Sequence, residues 1–263
     1  MRERLPRSRR DQIVGRLDAG LPVVAAELAI EFSVSEDAIR RDLRALAAKG
    51  RCERVYGGAL PLSPASTPFA ARLDEAPLRK QLLARAAIAT IEPGEVIFLD
   101  TGSTNQALAH ELPSGLNLTV VTNAVRVAST LYDRPGITLI MIGGAVDAAV
   151  GGCVGGEAVI ELQRLNIDRC FLGACAISAA GGVAAFDAAD AVFKRTLLSV
   201  SRKTVVMATN EKLETRALHV IAPVAALERV IVEHDAPSEI VALLEVAGSS
   251  VDIAAKSAAE DHL

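Results

Sequence analysis

The sequence predicts an α/β protein in two parts. A small helical unit ending in a short β-ribbon comes first, then a larger domain with a mainly parallel sheet covered by helices on both faces. Three observations carry this. Apolar residues in the first part recur at three-to-four spacing, the period of helices that bury one face. Beyond residue 78, short runs that are apolar throughout alternate with longer helical segments, the pattern of βαβ units in a doubly covered parallel sheet. Between the two, Pro61, Pro64, Pro68 and Pro77 exclude a continuous helix or strand. The expected domains are 1–58 and 78–263, joined by a proline-rich linker at 59–77. At 263 residues, 51% of them hydrophobic, the chain can fill two cores.

Residues 7–19 read as a helix with Ile13, Val14 and Leu17 on its apolar face, stopped by Gly20. Residues 23–32 read as a second helix that buries Leu28 and Phe32 and turns Glu27 and Glu31 to water. Ser33 and Val34 make a short turn. Ser35 is placed as an N-cap, with Glu36 and Asp37 in the first turn, where the helix dipole favours negative charge. The third helix runs to about Lys49. Ile39, Leu43 and Leu46 anchor it and leave Arg40, Arg41 and Arg44 outward. Residues 51–58 then read as a ribbon or wing carrying Arg51, Arg54 and Tyr56, with glycines that let backbone approach backbone or phosphate.

Two helices joined by a short turn, the second with arginines near its start, form a winged helix-turn-helix. Its second helix would lie in the major groove of DNA. Charge agrees: residues 1–60 hold 12 Lys+Arg against 9 Asp+Glu, and the remainder 16 against 23. A basic module on an acidic one suits a polyanionic partner. The plainer alternative makes the arginines the solvated face of an amphipathic helix. Asp42 is expected away from phosphate, paired with Arg41 or another arginine of the module.

In the larger domain, strands are expected at 95–100, 118–123, 137–144, 169–178 and 203–209, with shorter ones at 218–222, 229–233 and 251–254. Helices are expected at 78–91, 105–112, 124–133, 156–165, 187–202 and 238–246. In such sheets ligands bind beyond the carboxyl ends of strands, against helix N-termini. The loop Asp100-Thr101-Gly102-Ser103-Thr104 offers backbone N–H groups, hydroxyls and a glycine at a helix start, a plausible phosphate cradle. It is not a Walker loop, since no Gly-Lys-Ser/Thr follows. A loop aspartate with capping hydroxyls is also ordinary architecture. Asp100 suits sugar hydroxyls or the loop itself better than phosphate.

Other readings are exclusions. Cys52, Cys153, Cys170 and Cys175 form neither a CxxC pair nor a metal-ligand spacing, so no metal is expected, and a reducing, cytoplasmic setting fits. The charged start MRERLPRSRR leads into no apolar stretch, so no signal peptide is expected. Residues 136–156 carry seven glycines, which points to a buried strand and a glycine-rich loop rather than a membrane span. His110, His219, His234 and His262 form no acid/base set, and no catalytic residue or cofactor is expected. The alternative class is an enzyme carrying an N-terminal DNA-binding module, with Asp100 or Asp187 as base, which the family resemblance would make sugar-phosphate isomerase-like.

The run from Val34 to Leu43 (VSEDAIRRDL), then Leu46, Gly50 and Arg54-Val55-Tyr56-Gly57-Gly58-Ala59, resembles the DNA-binding signature of the DeoR family of bacterial transcriptional regulators. Ala38 stands where the family usually has Thr. The larger domain is similar to the DeoR effector domain in IFLDTGST, VVTN, IGG, FLGACAI and FDAADAVFKR. That domain shares its sheet architecture with sugar-phosphate isomerases. The resemblance implies a DNA-binding regulator, a repressor or activator of transcription, that takes a phosphorylated sugar or similar metabolite as effector. It implies a DNA surface of Ser35, Arg40, Arg41, Arg44, Arg51, Arg54 and Tyr56. Carried over by position, the effector site would include Asp100, Gly102, Ser103, Thr104, Thr122, Asn123, Gly143, Gly144, Asp187 and Lys194, with Lys212 near. A D-x-S-K run expected after the late strand reads Thr209-Asn210-Glu211-Lys212, with an extra negative charge beside Lys212. The regulated genes would serve carbohydrate or polyol catabolism. One small module offers few base contacts, so a homo-oligomer with paired modules on operator DNA is expected.

Overall fold

A computed structural model describes residues 9–18, 23–48, 51–55, 57–61 and 75–256. The chain divides into two compact units, residues 1–67 and 68–263. Residues 62–74, the greater part of the expected linker, lie outside the described residues.

The first unit packs α1 (Arg9–Asp18), α2 (Ala25–Glu31) and α3 (Glu36–Ala48) on a small antiparallel sheet. Its strands are β1 (Val23–Val24), β2 (Cys52–Val55) and β3 (Gly58–Pro61), in the order β1-β3-β2. Ile13, Leu17, Leu28, Ile39, Leu43 and Leu46 form the core, as their spacing predicts. Two expectations need correction. Val23 and Val24 do not begin the second helix. They are extended and pair with Ala59 and Gly58, because β-branched residues suit a strand once a partner is present. The ribbon also runs through Pro61, so residues 59–61 belong to it rather than to a linker. Beyond Ala59 the strand has a neighbour on one side only, and an edge tolerates a proline.

Gly58 is obligatory for this sheet. A Cβ there would lie 2.0 Å from the Val23 carbonyl oxygen. The turn between α2 and α3 places Ser33 in the left-handed region at φ 53°. Ser35 then caps α3, its Oγ accepting the Ala38 N–H at 3.3 Å.

The second unit is built on seven parallel strands: β4 (Val96–Leu99), β5 (Leu118–Thr122), β6 (Ile137–Met141), β9 (Ile167–Leu172), β12 (Ser201–Ala208), β14 (Arg229–Val232) and β15 (Ser250–Ile253). Their order is β15-β14-β12-β9-β4-β5-β6. Neighbouring residues of one strand face opposite ways, and both faces are covered. Ile97, Leu99 and Phe171 pack with Leu83, Leu108 and Val127 from α4 (Pro77–Ile88), α5 (Ser103–Glu111) and α6 (Val125–Leu131). Phe98, Cys170 and Leu172 pack with Leu162, Phe193 and Leu244 from α7 (Gly156–Leu162), α8 (Ala188–Ser199) and α9 (Ser238–Val246). At the amino end, the buried Arg169 ties Glu95 and Glu228, each at 3.1 Å. Among the described residues, no helix is long and apolar enough to cross a membrane.

Two features depart from the expected pattern. The 169–178 segment is not one strand. It breaks after Leu172 and resumes as β10 (Ala176–Ser178), which joins β11 (Gly182–Ala185) and β13 (His219–Ala222) in a separate antiparallel sheet. The break falls at Gly173, where a Cβ would meet the Thr101 carbonyl oxygen at 2.2 Å. The glycine-rich segment after β6 forms a small hairpin, β7 (Val146–Asp147) with β8 (Gly152–Cys153).

From the middle of the main sheet, β4-β5-β6 step outward one way and β9-β12-β14-β15 the other. The direction reverses between β4 and β9. In open parallel sheets this is where a crevice forms beyond the carboxyl ends.

Candidate functional site

Helix α3 presents Arg40, Arg41 and Arg44 to solvent. Each is steadied by its own helix. Arg40 Nη2 lies 2.7 Å from Glu36 Oε2, Arg41 Nε donates to the Asp37 carbonyl at 3.3 Å, and Arg44 Nε to the Arg40 carbonyl at 3.3 Å. Arg51 is exposed before β2. The side chain of Arg54 and the whole of Tyr56 lie outside the described residues. Asp42 is buried on the inner side and pairs with Arg9 and Arg10 of α1, not with Arg41. Burial works against its charge, but the two guanidiniums outweigh it and hold the carboxyl below its ordinary value. The result is a helix held from behind, with Arg40, Arg41 and Arg44 exposed on its other face.

The second site lies at the reversal between β4 and β9. The fully buried Asp100 follows β4. Its Oδ1 accepts the Thr101 N–H at 2.7 Å and its Oδ2 the Gly173 N–H at 2.9 Å. Asn105 crosses the same seam, its Nδ2 donating to the carbonyls of Asp100 at 3.0 Å and Phe171 at 2.8 Å. Thr122 Oγ1 donates to the Leu99 carbonyl at 2.6 Å, and Asn123 Nδ2 to the Cys153 carbonyl at 3.1 Å. Asp100 therefore builds the loop, one of the two uses its sequence position suggested.

Lys194 reaches this point from α8. It is buried, 3.6 Å from Asp100 Oδ2 and paired with Asp190 one turn earlier. Burial disfavours its ammonium, yet Asp100 and Asp190 outweigh that and raise it above the ordinary lysine value. Burial pushes the Asp100 carboxyl up to about 6 against the pull of Lys194. One cation between two carboxylates is not a free positive charge. Lys194 therefore shares its charge with Asp100 and Asp190.

The start of α5 follows directly on this loop. The first turn of a helix leaves N–H groups without intrahelical acceptors, and no side chain caps this one. Gly102, at φ 145°, leads into it with open space where a Cβ would stand. Beside it, Thr104 Oγ1, Asn123 Oδ1 and Asp190 Oδ1 are buried with no hydrogen-bond partner among the described residues. Buried polar groups are ordinarily satisfied, so these three oxygens are exceptions.

Of the other residues carried over, Gly143 and Gly144 are exposed where the hairpin leaves β6. Asp187 caps α8, its Oδ1 accepting the Asp190 N–H at 2.8 Å. Lys212 lies in the short 3-10 turn Asn210–Lys212 after β12. The sequence reading missed Asn105, which looked like ordinary helix. Asp190 is legible from its four-residue spacing to Lys194.

Comparison with known proteins decides what these two units are. Residues 9–65 match the model of the DeoR-like helix-turn-helix domain, and residues 75–234 that of the DeoR C-terminal sensor domain. The chain belongs to the DeoR family. The glycerol-3-phosphate regulon repressor of Escherichia coli (strain K12) is 30% identical, over 84% of this chain and 88% of that protein. The transcriptional regulator GolR of Listeria innocua is 28% identical over 95% and 99%, and IolR of Bacillus subtilis 27% over 78% and 82%. Among solved structures, ribose 5-phosphate isomerase A of Methanocaldococcus jannaschii is 17% identical with a TM-score of 0.37, over 51% of this chain and 53% of that one. This DeoR-family regulator is a DNA-binding transcription factor with a sensor domain for a small molecule, not an enzyme.

Proposed function

We propose that this DeoR-family regulator represses a carbohydrate or polyol catabolic operon and that a phosphorylated sugar or polyol releases it. The observation that carries this is the uncapped start of α5 beside unpartnered Thr104, Asn123 and Asp190 atoms at the sheet's reversal point. Backbone N–H groups and the hydroxyls of Ser103 and Thr104 suit a phosphate. The acceptors Asn123 Oδ1 and Asp190 Oδ1 suit ligand hydroxyls, which donate. The name of the glycerol-3-phosphate regulon repressor supports the same ligand class.

On DNA, Ser35, Arg40, Arg41 and Arg44 read the major groove and Arg51, Arg54 and Tyr56 the flanking backbone. The working form is a homo-oligomer that pairs two modules on a two-fold operator. Sedimentation of the operator complex tests this, and a monomer bound at unit stoichiometry contradicts it.

Calorimetry with glycerol 3-phosphate and a panel of pentose and hexose phosphates tests the site. Ser103→Ala/Thr104→Ala weakens binding of the phosphosugar that the parent protein takes up, and operator binding without it stays intact. Equal binding by the double variant moves the cradle elsewhere.

A further inference from the structure

A second polar cluster lies two and three strands along the sheet from Asp100, at the carboxyl ends of β12 and β14. It belongs to none of the residues assigned above. Arg79 in the first turn of α4 donates from Nη1 to Glu233 Oε2 at 2.7 Å and from Nη2 to Asp235 Oδ2 at 3.1 Å. Both carboxylates also hold Asn210. The Asn210 N–H donates to Glu233 Oε2 at 3.3 Å, and Asn210 Nδ2 to Asp235 Oδ1 at 2.8 Å. Arg79 and Asn210 thus share the same two carboxylates, meeting at Glu233 Oε2 and taking one oxygen each of Asp235.

Each end of this bridge leads somewhere. Asn210 opens the 3-10 turn after β12, the segment that also holds Lys212. That turn is tied to β10 by the Glu214 N–H, which donates to the Ile177 carbonyl at 2.9 Å. Through β10 and β11 the chain reaches Asp187, the cap of the helix that carries Asp190 and Lys194 to Asp100. At the other end, α4 is the first helix of the sensor unit, and the DNA-reading unit precedes it in the chain.

The cluster is also incompletely satisfied. Glu233 is 2% exposed, yet its Oε1 has no partner among the described residues, and Asn210 Oδ1 has none either. Burial pushes the Glu233 carboxyl above its ordinary value, even with Arg79 and the Asn210 N–H drawing it down. Incompletely satisfied buried networks give way more easily than fully bonded ones. This one joins a strand-end turn to the helix nearest the DNA-reading unit in sequence.

We propose that Arg79 is the coupling residue of this regulator: with Glu233 and Asp235 it makes the first turn of α4 respond to the position of the Asn210–Lys212 turn. The proposal rests on the sensor function above for its biological meaning, but the bridge itself is tested without an effector. Spatial continuity alone is not coupling, so a perturbation at one end must be read at the other.

The test uses the full-length protein and hydrogen–deuterium exchange. Asn210→Ala removes one contact to Asp235 and touches nothing on α4. It speeds exchange of the amides from Lys80 to Leu83 at least threefold and leaves α7 unchanged. Arg79→Gln, made with Glu233→Gln so that no buried charge is stranded, does the same to residues 211–214. On the DNA fragment that the protein enriches from its genome, Asn210→Ala shifts affinity severalfold, and the shift disappears in the Arg79→Gln/Glu233→Gln background. Unchanged α4 exchange in Asn210→Ala overturns the bridge. An affinity shift of equal size in both backgrounds overturns Arg79 as its carrier. Should the protein enrich no DNA, the regulator reading fails, while the exchange measurements still decide the bridge.

Discussion

Lys194 Nζ lies 3.6 Å from Asp100 Oδ2, with both residues sealed from solvent. With Asp190 as the third member, the group buries one cation and two carboxylates on the face of the loop that leads into α5. Removing the cation leaves two buried carboxylates without the positive charge they share. Lys194→Met therefore destabilises the sensor unit by about 3–5 kcal/mol, the usual cost of stranding a buried charge. Urea denaturation at pH 7 measures it.

The same group sets a pH dependence. Asp100 has a folded carboxyl value raised to about 6, above its value in the unfolded chain. Between those values the folded state binds the extra proton, so this group lowers stability as pH rises and completes its effect above about pH 6. Asp100→Asn flattens that slope while weakening the protein throughout, because one oxygen now serves where two N–H groups were bonded. Denaturation midpoints at pH 4.5 and 7 compare the two proteins.

Asp42 behaves in the opposite sense. Its carboxyl is held below the ordinary value by Arg9 and Arg10, so its contribution is present above the ordinary aspartate range and lost as acid reaches the folded value. Asp42→Ala costs the first unit about 2 kcal/mol at neutral pH, from the loss of charge-assisted hydrogen bonds. It also removes most of the acid sensitivity of α1. Circular dichroism melts of the full chain at pH 3 and 7 show whether the difference between parent and variant closes in acid.

Gly58→Ala pushes a methyl group into the Val23 carbonyl, which is backbone and cannot rotate away. The β1–β3 pairing has to open, at about 1–3 kcal/mol for the overpacking. The wing moves with it. Operator affinity should fall although no DNA-facing side chain has changed, and a fluorescence anisotropy titration reads the loss.

Arg40→Ala/Arg41→Ala removes two exposed cations and no core contact. Operator affinity falls by at least about 1–3 kcal/mol if either arginine grips a guanine, and the salt dependence becomes shallower by about one phosphate contact per arginine. Unchanged affinity and salt slope would remove α3 from the DNA surface.

The sequence made the helices of the first unit legible because Ile39, Leu43 and Leu46 report burial by spacing alone. It did not reveal β1. Val23 and Val24 are extended because a glycine 34 residues after Val24 leaves room for them, a pairing invisible in local pattern. The strand from Ile167 ended early for a related reason: Gly173 sits against the Thr101 backbone, and only the fold brings the two together. In the sensor unit, Asp100 and the following hydroxyls stood out as a loop at a strand end. The pairing of Lys194 with Asp190 is signalled by their four-residue spacing, but its approach to Asp100 spans 94 positions in the chain and carries no local signal. Arg79 and Glu233, 154 residues apart, carried no sequence signal at all.

The reversal between β4 and β9 also bears on how the chain acquires its site. Each half of the main sheet is assembled from strands that follow one another in the chain, so each can form from comparatively local contacts. The join between the halves is different. Asp100 meets Gly173 across 73 residues, and Asn105 meets Phe171 across 66. Loop closure makes such long-range pairings slow, so the join is expected late in folding. On a ribosome it must wait until β9 has been made. The crevice proposed for the effector is the far end of that join and does not exist before it closes. A metabolite that binds there adds its affinity to the folded state alone. An effector bound as proposed would thus act on newly made chains as well as finished ones, holding shut the last seam of the sensor to be sewn.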